Sequence, residues 1–527
     1  MTVVNVVPGL MLFLLAAASA PAQAAATASS RRPPFPRARL APPRRAVGVA
    51  PPAADGSGNA STAAAKQPFT AHFFPQELDH FTFTPNSSRV FAQKYLLNDT
   101  FWRKPNCTGA ASAGPLFVYT GNEGDIEWFA TNTGFMFDIA PEFGALLVFI
   151  EHRFYGESMP FGNDDSYNSA DTLGYLTSTQ ALADFAILIT SLKTNLSVPD
   201  APVVVFGGSY GGMLASWFKL KYPHVAMGAL ASSAPILQFD HITPWTSFDD
   251  AVSQDFKSES LNCFSVIKAV WDVLDARGSN ATGLLELSKT FRACKTVQYA
   301  GSLTSWLYTA FTYTAMTDYP TPADFLQNLP AYPVKEMCKI IDAFPAGADV
   351  VDKAFAAASL YYNYTGDQEC FEVEGEDDPH GLNGWGWQAC TEMIMPMNVS
   401  SESMFPPYGF SYEERSESCF ESFGVRPRDH WITTEYGGTK IYQVLKRFGS
   451  NIIFSNGLRD PWSRGGVLKN ISSSIVALVT EEGAHHLDLR AATKEDPDWV
   501  VQQRRQEVEI IKGWIDQYNQ DIAEMSQ

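Results

Sequence analysis

The stretch Val203-Val204-Val205-Phe206-Gly207-Gly208-Ser209-Tyr210-Gly211-Gly212, followed by Met213 to Tyr222 and stopped by Pro223, decides the fold. A run of β-branched and aromatic residues ending on glycine suits a strand buried on both faces, and the segment after it suits a helix. Gly-x-Ser-x-Gly between them predicts a turn so sharp that the Ser209 hydroxyl stands exposed at the strand end. The helix start then offers amide donors, Tyr210 first, and its positive dipole end to a developing oxyanion. The motif alone arises often by chance. With a strand before it and a helix after it, Ser209 reads as a nucleophile.

The same pattern recurs on either side. Leu116 to Tyr119 and Ala145 to Ile150 read as buried strands before the serine, and Asn451 to Phe454 and Ser474 to Val479 as strands late in the chain. Ser178 to Leu192 carries Ala181, Phe185 and Leu188 on one helical face, and Gln506 to Tyr518 is amphipathic. Strand–helix alternation predicts an α/β sheet. Between about Gln238 and Gly438 the rhythm breaks. That stretch has helix candidates at Phe264–Leu274, Gly283–Phe291 and Val350–Tyr361, and holds Cys263, Cys294, Cys338, Cys370, Cys390 and Cys419. The expected organisation is a core in two pieces, 67–237 and 439–527, with a helical cap at 238–438 inserted between late core strands.

A serine nucleophile needs a base, and the base needs an orienting acid, each in a loop after a late strand in the order Ser, Asp, His. The strand at Ile452 runs into Asn456-Gly457-Leu458-Arg459-Asp460-Pro461-Trp462, and the strand at Ile475 into Glu481-Glu482-Gly483-Ala484-His485-His486-Leu487. An aspartate before proline is also a common turn former, so it is the joint placement that selects Asp460 and one of the two histidines. A second oxyanion donor beside the Tyr210 amide is expected from Thr120-Gly121-Asn122-Glu123-Gly124, with Asn122 at its centre. Its two glycines permit close backbone approach to a ligand.

Composition narrows the function classes. The 527 residues exceed a single small module, and 45% hydrophobic with 13% aromatic residues excludes global disorder. Thirty-eight basic against 57 acidic residues give a net charge of −19, which repels phosphate backbones and excludes a nucleic-acid role. Residues 1–24 read as a secretory signal, with an apolar core at Leu10–Ala18 and small-residue sites after it, although no basic residue precedes that core. The core is too short to span a bilayer, and no membrane span is expected elsewhere. Residues 25–66, rich in Pro, Ala and Arg, form a linker or propeptide that cannot bury enough apolar surface to fold. Sequons at Asn59, Asn86, Asn98, Asn106, Asn195, Asn280, Asn363, Asn398 and Asn470 support passage through the secretory pathway. The six clustered cysteines favour three disulfides among fifteen possible pairings, and Cys107 is left over. No spacing argues for a metal, and the catalytic set needs no cofactor. The oligomeric state is open, a homodimer being among the states allowed.

Four segments together resemble one serine peptidase family, that of prolyl (Pro-X) carboxypeptidase and dipeptidyl peptidase II. They are Tyr119-Thr120-Gly121-Asn122-Glu123-Gly124, Glu151-His152-Arg153-Phe154-Tyr155-Gly156-Glu157-Ser158, the Ser209 motif, and Gly483-Ala484-His485-His486-Leu487-Asp488-Leu489-Arg490. The similarity runs from about Phe74 to Gln517. It implies an α/β-hydrolase fold with a disulfide-stapled helical cap, peptide substrates cut after proline, and a lysosomal, vacuolar or extracellular location. It favours His485 as the base, with His486 and Arg490 in a supporting hydrogen-bond network. It also implies the pairings Cys263–Cys338, Cys294–Cys370 and Cys390–Cys419; a further pair found in the carboxypeptidase has no counterpart here. Trp385, Trp387 and Trp462 become candidates for an apolar proline pocket.

The resemblance covers two exo-specificities. A dipeptidyl peptidase holds a free amine, and that branch places an Asp where this chain has Gly386, which favours the carboxypeptidase. A lipase or esterase is a more distant reading, because the cap is rich in Cys and Trp rather than in Leu and Phe. A catalytically inactive binding protein would be expected to have lost a triad residue, and none is lost. A base must be neutral to take the serine proton. Arg490 or a protonated His486 nearby favours that form and Asp460 opposes it, so the sign of the net shift is open; activity retained in acid is a hypothesis, which a rate falling away below about pH 6.5 would count against.

Overall fold

Eight strands form one mixed sheet in the computed structural model, which describes residues 69–525 except 86, 106–112, 164 and 375–379. The signal and linker segments, Asn59, Asn86, Asn106 and Cys107 lie outside the described residues. The strands are β1 (Thr70–Glu77), β2 (Val90–Asn98), β3 (Leu116–Thr120), β4 (Leu146–Ile150), β5 (Val203–Gly208), β6 (Gly228–Ser232), β9 (Ile452–Gly457) and β10 (Ile475–Thr480). A separate two-stranded ribbon pairs β7 (Ala323–Asp324) with β8 (Asn328–Leu329). The sheet order is β1-β2-β4-β3-β5-β6-β9-β10, with β2 antiparallel to both of its neighbours and every later pair parallel.

The central strands are apolar without interruption because helices cover both faces. Leu116, Val118, Val148, Val203 and Val205 pack toward the helices Ser178–Asn195 and Tyr210–Lys221. Their chain neighbours Phe117, Tyr119, Phe149, Val204 and Phe206 pack toward the helices Ile126–Asn132, Gly134–Phe143 and Asp498–Met525. Parallel register sets Gly208 beside Ser232, and Ser232 beside Ser455. The loops after β5, β6, β9 and β10 therefore open side by side at the carboxyl edge of the sheet, where ligands bind in open α/β folds. This strand order, with the serine turn after the fifth strand, is the α/β-hydrolase fold.

After β6 the chain leaves the sheet and returns at Ile452. Most of the excursion is a helical body with its own core, in which Trp306, Phe311, Ile341 and Tyr361 are wholly buried. Cys263–Cys338 and Cys294–Cys370 bridge this body, and Cys390–Cys419 joins the helix Gly384–Thr391 to the helix Tyr412–Phe423. Three features depart from the sequence reading. The hairpin β1–β2 went unread because its exposed and buried residues mix along an edge. The helix Asp498–Met525 runs well beyond Gln506–Tyr518 because its polar ends are solvated rather than unfolded. Asn98, which carries a sequon, is 4% exposed at the end of β2. Its side-chain oxygen accepts from the Thr100 amide at 3.0 Å. Asn195, Asn280 and Asn470 are exposed, while Asn363 and Asn398 are half-buried.

The turn after β5 needs glycine on both sides. A Cβ on Gly207 would lie 2.1 Å from the Gly211 carbonyl oxygen, and one on Gly211 would lie 2.1 Å from Asn122 Oδ1. Gly513, in the interior of the last helix, meets nothing within 4 Å. Gly513→Ala is therefore expected to raise stability by about 0.5–1 kcal/mol. Gly211→Ala is expected to lower it by more than that, and comparison of the two melting temperatures checks both signs.

Candidate active site

Ser209 takes φ +57° and ψ −126° between β5 and the helix Tyr210–Lys221. This is backbone that a side-chain-bearing residue adopts only when its surroundings enforce it. The Ser209 amide donates to Ser232 O at 3.0 Å, which ties the turn to the end of β6. Asp460 ends the turn after β9. It is fully buried, with Oδ1 accepting from the Trp462 amide at 3.0 Å and Oδ2 2.8 Å from His485 Nδ1. That contact fixes the ring so that Nε2 is the nitrogen left for a proton transfer. Ser209 Oγ makes no hydrogen bond to a described residue, a common state of a serine–imidazole pair before substrate arrives.

His485 is held by the insertion as well as by the sheet. Its amide donates to Met316 O at 2.9 Å, and its carbonyl accepts from Tyr319 OH at 2.8 Å, both at the end of the helix Ala300–Met316. The next residue, His486, has φ +39°, and its amide donates to Ser233 Oγ at 2.8 Å. The two imidazole centroids lie 4.5 Å apart. Burial first, then His485 and Arg490, hold His486 well below the usual imidazole range, so it does not supply the cation that the sequence reading allowed. Arg490 lies 4.7 Å over the Phe325 ring, which in turn packs on His486 at 5.1 Å, and its Nη2 donates to Asn132 Oδ1 at 2.7 Å. The support running from His485 through His486 to Arg490 consists of ring packing and charge. It is not a chain of hydrogen bonds.

The oxyanion loop is tied to the nucleophile turn by a side chain. Asn122 Nδ2 donates to Gly208 O at 2.7 Å, and its Oδ1 accepts from Tyr119 OH at 2.9 Å. The Asn122 amide group is thus structural, and an oxyanion donor from this loop has to be a backbone N–H. The Tyr210 hydroxyl, buried, accepts from Gln388 Nε2 at 2.8 Å and lies 3.2 Å from His152 Nε2. Gln388 Oε1 also accepts from Tyr155 OH at 2.6 Å, and Glu392, one helical turn on, accepts from the Ser178 amide at 2.7 Å. Sequence reasoning missed this network. Its only signal is the Gln388/Glu392 spacing of four on a helix that also carries two tryptophans.

The tryptophans separate. Trp385 sits edge-on to Tyr210 at 5.3 Å and is half-buried, and Trp462 follows Asp460 and packs on Phe248 at 4.6 Å. Trp387, by contrast, is packed with Phe154, Tyr155, Leu173 and Leu176 and is core rather than lining. Among the described residues no cluster of His, Cys, Asp and Glu could hold a metal, and no helix is long and apolar enough to cross a membrane.

A family model described as serine carboxypeptidase S28 matches residues 76–507. Lysosomal Pro-X carboxypeptidase of Homo sapiens is 44% identical over 454 residues, covering 85% of this chain and 88% of that protein. The Bos taurus protein of the same name is 44% identical over 465 residues, covering 87% and 90%. Prolyl carboxy peptidase like protein 5 of Caenorhabditis elegans is 35% identical over 484 residues, covering 88% and 93%.

Three buried carboxyls, Glu151, Asp318 and Glu392, and the half-buried Glu123 have shifted titration. Burial pushes Glu151, Asp318 and Glu392 up to about 7 and Glu123 up to about 6. In the unfolded chain such groups titrate near 4. The folded state therefore binds protons that the unfolded state releases, and the resulting stability is lost as pH rises through about 6 to 7. His486 and His152, both held below the usual imidazole range by burial, act in the opposite sense below about 6.5 and are outnumbered. The melting temperature is expected to be higher at pH 5 than at pH 8, which calorimetry across that range checks.

Proposed function

The chain belongs to the serine carboxypeptidase S28 family, and on that premise we infer that it is a proline-specific serine carboxypeptidase of the secretory pathway and lysosome. It releases the C-terminal residue from peptides by cutting the bond after proline. The observation that carries the mechanism is the 2.8 Å contact between buried Asp460 and His485, beside the strained Ser209 turn.

Ser209 Oγ attacks the proline carbonyl while His485 Nε2 takes the hydroxyl proton. The carbonyl oxygen becomes an oxyanion between the Tyr210 amide and a backbone amide of the loop 121–124. Asp460 keeps the Nδ1 proton in place and balances the imidazolium that forms. His485 then gives its proton to the nitrogen of the departing amino acid, the C–N bond breaks, and the peptide remains as an ester on Ser209. Water, deprotonated by the same ring, hydrolyses that ester. His486 and Arg490 act behind His485 as positioning residues.

Trp385 and Trp462 supply apolar walls for the proline ring. Exo-specificity favours the carboxypeptidase branch, because Gly386 leaves no carboxylate at that place to hold a free amine. Space is not the reason. A Cβ there would meet only Phe423 Cζ, at 3.7 Å.

The test compares an N-blocked peptide ending in Pro-Phe with a free-amine Lys-Pro substrate carrying a fluorescent leaving group, at several acid pH values. Turnover of the blocked peptide is expected, with loss on the order of 10⁴- to 10⁶-fold in Ser209→Ala. Turnover of the free-amine substrate alone would move the chain to the dipeptidyl branch. Failure of a fluorophosphonate to label Ser209 would point to a binding protein instead.

A further inference from the structure

An oxyanion hole works only while both of its amides stand at hydrogen-bond distance from one developing charge. The core supplies one tie between them, the Asn122 side chain on Gly208 O at 2.7 Å. The loop 121–125 is also pinned to the sheet at its start, where the Gly121 amide donates to Ile150 O at 3.0 Å. Its other end is pinned to the insertion. The Asp125 amide donates to His380 O at 3.0 Å, and Asp125 Oδ2 lies 2.9 Å from His380 Nδ1. The His380 ring stacks on Trp128 at 4.1 Å, and Asp125 Oδ1 accepts from the Trp128 amide at 2.8 Å in the first turn of the helix Ile126–Asn132. A Cβ on Gly124 would lie 3.3 Å from His380 O, so the two backbones run in contact. Between the pinned ends, the backbone amides of Asn122 and Gly124 donate to no described residue.

The other donor is held from the same stretch of the insertion. His152 Nδ1 lies 2.7 Å from Arg153 O, and a carbonyl can only accept, so that nitrogen carries the proton. Nε2 is then bare in the neutral ring that burial enforces. The buried Tyr210 hydroxyl therefore donates to His152 Nε2 at 3.2 Å and accepts from Gln388 Nε2 at 2.8 Å. Gln388 is itself fully buried. Its Oε1 accepts from Tyr155 OH at 2.6 Å, and its Nε2 also reaches Glu392 Oε1 at 3.3 Å. Glu392 in turn accepts from the Ser178 amide and hydroxyl at 2.7 and 3.0 Å. With each donor and acceptor assigned, the Tyr210 side chain has one position, and it is set by core and insertion together.

We propose that the segment 380–392 of the insertion is a positioning element of the reaction, in which His380 holds the loop 121–125, Gln388 holds Tyr210, and together they set the separation of the two oxyanion donors. The proposal rests on the carboxypeptidase reading above and adds how its oxyanion hole is kept in register. Both residues act through backbone amides rather than on the reacting atoms. A displacement of about 1 Å at such donors costs on the order of 100-fold in rate.

The test compares wild type with Gln388→Met, His380→Ala and Tyr210→Phe on an N-blocked peptide ending in Pro-Phe. Two inhibitors separate the hole from the pocket. An N-blocked dipeptide ending in boroproline takes Ser209 Oγ onto boron and places an oxygen in the hole. The matching pyrrolidide fills the proline pocket and carries neither boron nor carbonyl there. Fluorophosphonate labelling of Ser209, run to completion, counts the intact sites. In Gln388→Met, kcat and boronate affinity are expected to fall together about ten- to hundredfold, while KM and pyrrolidide affinity stay within about threefold. Tyr210→Phe removes a single oxygen and is expected to reproduce that fall, with little added in the double variant. His380→Ala keeps its backbone tie to Asp125 and is expected to lose about three- to tenfold with the same split.

If the variants keep wild-type kcat and boronate affinity per labelled site, the hole is held without the insertion and the proposal falls. Equal losses of boronate and pyrrolidide affinity, with a raised KM, would make the segment a wall of the proline pocket and would also overturn it. Should Gln388→Met fold too poorly to label, the split in Tyr210→Phe decides between these outcomes. Absence of wild-type turnover on the Pro-Phe acid would instead remove the carboxypeptidase reading itself, and the proposal with it.

Discussion

The backbone of Ser209, at φ +57° and ψ −126°, is the constraint around which the rest is arranged. A non-glycine residue rests there only if its neighbours leave it no alternative. Here they are the buried strand β5 on one side, a helix whose first residue has its hydroxyl tied to Gln388 and His152 on the other, and an amide bond to Ser232 beneath. The turn also dictates what surrounds it. Gly207 and Gly211 have to lack side chains because their Cα atoms lie against a carbonyl and against the Asn122 amide group. Asn122 is there because something has to hold the oxyanion loop against β5 at that distance.

The insertion does more than cover the sheet. It supplies Met316 and Tyr319, which fix both backbone polar groups of His485, and Gln388 and Glu392, which reach Tyr210 and Ser178. Arg459, next to Asp460, bonds Asp318 and Glu259 of the insertion at 3.4 and 3.1 Å. Each of these contacts is polar and buried or half-buried. The union of cap and sheet is therefore strong when satisfied and intolerant of a single unpaired group.

Much of this was legible in the residues. The strands β3, β4, β5, β9 and β10 are short apolar runs with sharp ends, and the Ser209 turn, Asp460 and the His485–His486 pair follow from what such strands place at their carboxyl ends; the choice of His485 came with the family resemblance. Disulfide pairing was not legible from spacing and came only with the family resemblance. The buried network around Gln388 was invisible because glutamine, glutamate and tyrosine are ordinary surface residues until tertiary packing encloses them. Trp387 and Trp385, two positions apart, face a packed cluster and the nucleophile helix respectively. No reading of an eight-residue helix without its neighbours could divide them. Asn98 shows the same limit, since its sequon says nothing about whether the amide points outward.

The insertion between β6 and β9 also imposes an order in time. Ser209 leaves the ribosome some 250 residues before Asp460, an interval of tens of seconds at about 5–20 residues per second. The parallel pairing of Ala229 with Ile452 cannot form until the whole cap has been translated. Nor can the base be oriented until the last strand has joined the sheet. The nascent chain is thus chemically silent during its passage through the translocation machinery. The route the chain takes through its own fold confers a latency that asks nothing of a separate inhibitor.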